Sequence, residues 1–169
     1  MPQNPPAELA HQVAIREMPP ADAGYRWLPE DASFIEQLRR EMLPDIHPEM
    51  SRVLVRDRLP DLARKLRGSI NSNDQQAYRR QNDPHIYVNA YTKNYRKARE
   101  GDEDARKALA GILAHEHAHI YDARDGAPRV ERERLAYNAQ LDRLRQLGAS
   151  ERSLRDVERA RALVLRTPE

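Results

Sequence analysis

Ala114-His115-Glu116-His117-Ala118-His119-Ile120 sets three histidines and a glutamate within seven residues. Asp102 and Asp104 stand upstream as capping residues, and Gly126-Ala127-Pro128 forms a turn downstream, so the stretch reads as a long helix ending near Ala123. On a helix, His115 and His119 lie about 40° apart and one turn along, so both imidazoles can reach one zinc ion at about 2.0–2.1 Å. Glu116 falls about 100° from His115, beside such a metal rather than on it, where it can take a proton from bound water. The three fixed positions of this His-x-x-x-His pattern with its glutamate would occur by chance in roughly one such chain in fifty, so its surroundings matter. With His115 as zero, Ala105, Ala108, Leu109, Ile112, Leu113 and Ile120 fall between about 20° and 160°, in the same arc as Glu116 and His119. Arg106, Ala110, His117 and Tyr121 fall on the far side. Two histidines and a glutamate are thus expected to face inward, where a charged group needs a metal or a partner. The bland alternative is a surface helix that happens to carry several histidines.

Catalytic zinc takes three protein ligands and keeps one position open. The chain has no cysteine, so the third ligand must be a histidine or a carboxylate from elsewhere. After the turn, a second helix is expected over residues 129–147. With Glu133 as zero, Val130, Tyr137, Gln140, Leu141, Leu144 and Leu147 all lie within about 80° of it, so Glu133 is an acid on an apolar face. Glu131 falls near 160°, with Asn138, Asp142 and Arg145. A short turn lets the two helices pack antiparallel, which brings Glu133 toward the histidines. Glu133 as half of a core salt bridge to arginine is the alternative.

The rest of the chain supplies less chemistry. Its 169 residues suit one core, and 39% hydrophobic with 33% charged residues describes a globular protein with a charged surface. The chain lacks the run of about 18 apolar residues that a membrane span needs, and its start is not that of a secretory signal, so a cytoplasmic protein without membrane partners is expected. Six of the twelve prolines lie in residues 1–30, read as an extended arm ahead of a single domain over 31–169. Ser33 and Glu36 form a capping-box pattern opening a helix to about Leu43. Val53-Leu54-Val55 reads as a short strand, residues 59–66 as an amphipathic helix and residues 74–81 as a helical turn or two. His85-Ile86-Tyr87-Val88-Asn89-Ala90-Tyr91 is the best strand, and Ser150 opens a last helix to about Leu165. The expected class is α+β and mostly helical, with a small sheet whose edge strand packs on the histidine-bearing helix. Residues 52–107 carry 14 basic and 8 acidic residues, with clusters at Arg64-Lys65 and Arg96-Lys97. Acids interleave them, so a solvated surface is the simpler reading and nucleic acid is not expected as a partner.

His115-Glu116-x-x-His119, a turn, then Glu133-x-x-Ala136-Tyr137 resembles the zincin metallopeptidases, and within them the gluzincins, over residues 85–147. The size resembles their minimal members. The resemblance implies Zn²⁺ held by His115, His119 and Glu133, with Glu116 as general base in peptide hydrolysis and a peptide or protein substrate, cleaved as by an endopeptidase rather than an exopeptidase. Such enzymes bind substrate main chain on an edge strand, and Asn89-Ala90 resembles the Asn-Ala pair found there in thermolysin-like members. The chain departs from that group in lacking its Gly-x-x-Asn-Glu-x-x-Ser-Asp signature, in the short spacing from His119 to Glu133, and in having no histidine after His119. A tyrosine would then stabilise the transition state, with Tyr87, Tyr91, Tyr95 and Tyr137 as candidates. Asp125 lies where the metzincin branch places its third ligand, although Asp122 replaces the glycine that branch requires. Asp122 and Asp125 can also orient a histidine from outside. The alternatives to an enzyme are a zincin-like binding module without turnover and a basic helical protein that binds nucleic acid.

Overall fold

The computed structural model describes residues 29–46, 52–56, 77–79, 85–90, 92–120 and 127–166. The proline-rich arm through residue 28, the expected helix at 59–66, and Asp122 and Asp125 lie outside the described residues. The described elements are α1 (Ala32–Met42), β1 (Arg52–Arg56), β2 (Ala77–Arg79), β3 (His85–Asn89), α2 (Lys93–Arg99), α3 (Glu103–Ile120), α4 (Arg129–Gln146) and α5 (Glu151–Arg166), with a 3-10 turn at Pro29–Asp31. Helix prevails over strand, as expected. Packing divides the chain into two compact units, Met1–Arg96 and Lys97–Glu169, with the division inside α2.

In the first unit α1 begins one residue before Ser33, so the capping box does not form, and the N-cap Asp31 makes no capping bond. Glu36 is turned to another use: it accepts from Nε and Nη2 of Arg39 at 2.9 and 2.8 Å and from Nε of Arg40 at 3.1 Å. Asp31 instead receives the Tyr95 hydroxyl, a bond between two buried side chains that are 64 residues apart. Phe34 meets the same Tyr95 ring edge to face at 5.6 Å. Phe34, Ile35, Leu38 and Met42 fill the buried side of α1 at helical spacing.

The sheet has the order β1-β3-β2, parallel between β1 and β3 and antiparallel between β2 and β3. Residues 77–79 are therefore strand, not the expected helical turn. Three residues carry too little periodicity to announce a strand; Ala77 to Arg79 are extended because they pair with Val88 to Ile86. The larger correction is to β3, which is the central strand and not an edge. β1 runs along its whole length, from Arg52 opposite His85 to Arg56 opposite Asn89. Ile86 and Val88, two residues apart on one face, are buried. Thr92 then starts α2 by offering its hydroxyl oxygen to the Tyr95 N–H at 3.3 Å.

The second unit is built on α3, α4 and α5. The N–H of Ala105 donates to Asp102 at 2.8 Å, so Asp102 is the cap of α3 that the sequence proposed alongside Asp104. Asp104 does something else: it accepts from the N–H and hydroxyl of Ser150 and from the hydroxyl of Ser153, tying the start of α3 to the start of α5. Lys107 reaches the Gly148 carbonyl and His115 reaches Gln140, so α3 and α4 run antiparallel. Gly148 ends α4 with φ +67°, and the Ala149 N–H closes back on the Leu144 carbonyl at 2.9 Å. Along the α3–α4 seam, Leu109, Leu113, Ala136, Leu141 and Leu144 are buried. Gly111 lies opposite Leu144, and a Cβ there would be 2.9 Å from Leu144 Cδ2, so the absence of a side chain sets how closely the helices approach. Burial extends further around α3 than the angular reading allowed. Ala110 is fully buried and His117 half-buried, so the expected far side is not a water face.

Candidate metal centre

α3 contributes His115 and His119, and α4 contributes Glu133. Nε2 of His119 lies 3.2 Å from Nε2 of His115. Nε2 of His115 is 3.5 Å from Oε2 of Glu133, and Nε2 of His119 is 3.4 Å from Oε1 of the same carboxylate. The three side chains are 12%, 15% and 21% exposed, shielded but open enough for a small ligand to reach them. They are the group of His and acidic residues, among those described, whose donor atoms converge as metal ligands do.

The spacing can be compared with what a metal asks for. Donors bound tetrahedrally to zinc at about 2.0–2.1 Å are separated from one another by about 3.3–3.4 Å. The three contacts here, 3.2, 3.4 and 3.5 Å, bracket that edge. Two neutral imidazoles and one carboxylate are also a donor set suited to zinc. The residues fit the ion that the sequence pattern implied.

Burial pushes the Glu133 carboxyl up, but the imidazoles of His115 and His119 beside it outweigh burial and hold it well below the usual carboxylate range. Glu133 therefore carries its negative charge at neutral pH. Glu131, which the helical angles put on the wet side, is exposed and pairs with Arg134 at 3.4 Å.

Tyr137, one turn after Glu133, packs edge to face on His115 with ring centroids 4.5 Å apart. Burial, and then the charges of Glu133 and Glu116, push its phenol up, so the hydroxyl keeps its proton. Of the other tyrosines considered, Tyr95 is committed to Asp31 in the first unit, and the side chains of Tyr87 and Tyr91 lie outside the described residues. Glu116 is half-buried on α3 and is not one of the three converging ligands.

Asn89 and Ala90 belong to the first unit, whereas the cluster lies in the second. Asn89 is completely buried, and its backbone carbonyl accepts from the Thr92 hydroxyl at 3.2 Å. With β1 paired along β3, the expected edge for an incoming peptide is not there. Gln140 was read only as part of the inward face of α4. Its Oε1 lies 3.0 Å from Nδ1 of His115. The available signal was its position seven residues, or two helical turns, beyond Glu133 on the same face.

No known protein family, curated protein or solved structure matches the chain.

Proposed function

We propose that the chain is a zinc-dependent hydrolase of peptide bonds, with His115, His119 and Glu133 as metal ligands. The observation that carries this reading is the triangle of donors from two helices, with sides of 3.2, 3.4 and 3.5 Å. Held by His115, His119 and Glu133, zinc would supply a Lewis acid able to polarise a carbonyl and to bring the pKa of water toward about 7. The remaining roles belong to the chain. Glu116, about 100° around α3 from His115, takes the proton of the attacking water and delivers it to the leaving amine. Tyr137, whose ring lies against His115 and whose phenol keeps its proton, is the tyrosine we assign as donor to the substrate's developing oxyanion.

The test is Glu116→Gln, which keeps the shape and removes the base. Expected are unchanged zinc content, a near-normal melting temperature, and cleavage of a mixed peptide library slowed at least about a hundredfold. A chelator should silence the wild type. Zinc binding with no cleavage of any peptide would leave a binding module in place of an enzyme. Equal cleavage by wild type and variant would remove Glu116 from the mechanism.

A further inference from the structure

We infer that Gln140 is the positioning residue of the centre, fixing His115 in the tautomer that leaves Nε2 bare. This rests on the metal-centre reading above and adds a residue and a role to it. The side-chain oxygen of Gln140, 3.0 Å from Nδ1 of His115, has lone pairs and no hydrogen. Nδ1 must therefore carry the ring proton, and a neutral imidazole protonated at Nδ1 has its free lone pair on Nε2. That is the nitrogen facing His119 and Glu133. A neutral histidine side chain free in water prefers the other tautomer, with the proton on Nε2, which cannot bind a metal through that atom.

Gln140 is itself held. It is 7% exposed and lies in the α3–α4 seam beside Leu141 and Leu144. Its Cγ passes 3.4 Å from where a Cβ of Gly111 would stand. The same glycine that lets the helices approach thus makes room for the glutamine stem. An orienting carboxylate would raise the basicity of the ring and add a negative charge. The amide orients without charge, so it adds nothing to the negative charges of Glu133 and Glu116 at the centre.

The experiment uses the full-length, metal-free, nitrogen-15-labelled protein. Ring-nitrogen NMR reads the tautomer of His115, and competition with a chromophoric chelator reads zinc affinity, neither requiring turnover. Wild type should show His115 protonated at Nδ1. Gln140→Met, similar in volume but with no comparable acceptor, should shift the ring toward the Nε2-protonated form and weaken zinc binding about 10- to 100-fold. Gln140→Glu should keep the Nδ1 proton and bind zinc at least as tightly as wild type. A wild-type ring protonated at Nε2 overturns the inference, and this reading stands even if Gln140→Met does not fold. Unchanged tautomer and zinc affinity in a folded Gln140→Met overturns it as well. A ring held by Gln140 in a protein that binds no zinc would separate the two claims: the orientation would be supported and the metal centre lost.

Discussion

Gly111→Ala tests the architecture that brings the ligands together. The added methyl would stand 2.9 Å from Cδ2 and 3.1 Å from Cγ of Leu144, and 3.4 Å from Cγ of Gln140. Carbon contacts rest at about 3.5–4.0 Å, so the seam must open by roughly 0.5–1 Å or Leu144 must leave its rotamer. Leu144 is fully buried, which leaves it little room to turn. Alanine gains about 1 kcal/mol of helix propensity over glycine, while overpacking costs about 1–3 kcal/mol. The net is a loss of between about 0 and 2 kcal/mol, which is modest in a melt. The metal centre should respond more sharply. His115 and His119 move together on α3, but Glu133 and Gln140 ride on α4. Opening the seam keeps the 3.2 Å contact between histidines and lengthens the 3.4 and 3.5 Å contacts to Glu133. Zinc affinity, measured by chelator competition, should fall at least about tenfold, as for the loss of an outer-shell partner. Placing Leu144→Val in the same chain removes the clashing Cδ2 atom, so Gly111→Ala should cost less in that background than alone. A Gly111→Ala protein that melts higher and binds zinc as tightly as wild type would refute the close contact at this position.

Glu133→Ala should reduce zinc occupancy strongly, whereas Glu131→Ala, which disturbs only an exposed pair with Arg134, should leave it unchanged in metal analysis. If Asp125→Ala empties the site and Glu133→Ala does not, the ligand set is wrong. The Arg39 hydrogen bond leads the effects on Glu36 and, with the charges of Arg39 and Arg40, outweighs burial and lowers its carboxyl below 4.5. A lowered folded-state pKa means stability that is present above about 4.5 and lost as pH falls through the folded value. The stability gap between wild type and Glu36→Gln should be under about 1 kcal/mol at pH 7 and close in acid, as followed by urea unfolding. Gly148→Ala puts a side chain at φ +67° and should lower stability by about 1–2 kcal/mol while leaving zinc affinity unchanged.

The convergence of His115, His119 and Glu133 was legible where periodicity carries the information. His115, His119 and Glu133 stood out because each was a polar group on an apolar face of a long helix, and one face of a helix is fixed by 3.6-residue spacing. The caps Asp102 and Ser150 were legible for the same local reason. What failed was tertiary. β2 exists through its pairing with β3, and β3 became central because of neighbours that no local pattern specifies. The Ser33–Glu36 capping box lost to Arg39 and Arg40, which lie within one turn and claim the Glu36 carboxylate. α2 went unread although Thr92 supplies its cap and Gly101, at φ +99°, follows it. Gln140 was missed because its role depends on the register between α3 and α4, set by the contact of Gly111 with Leu144.

A carboxylate between two histidines can be satisfied without any metal, by two charge-assisted hydrogen bonds. Those bonds are short, about 2.7–2.9 Å between nitrogen and oxygen. The contacts to Glu133 are 3.4 and 3.5 Å, longer by about half an ångström or more. The two histidine nitrogens meanwhile lie 3.2 Å apart, the distance of a hydrogen bond between the rings when one of them carries its proton on Nε2. A bound cation would take the place of that proton and face all three donors at once. Three nearly equal separations describe donors arranged about one point, at the spacing of about 3.3–3.4 Å that a tetrahedral ion requires. A chance His-Glu-x-x-His on one helix places no constraint on the next helix. Here α4 delivers Glu133 to the third corner and Gln140 to the ring behind the first, and it is this convergence from two helices, more than the motif, that supports the proposed metal centre.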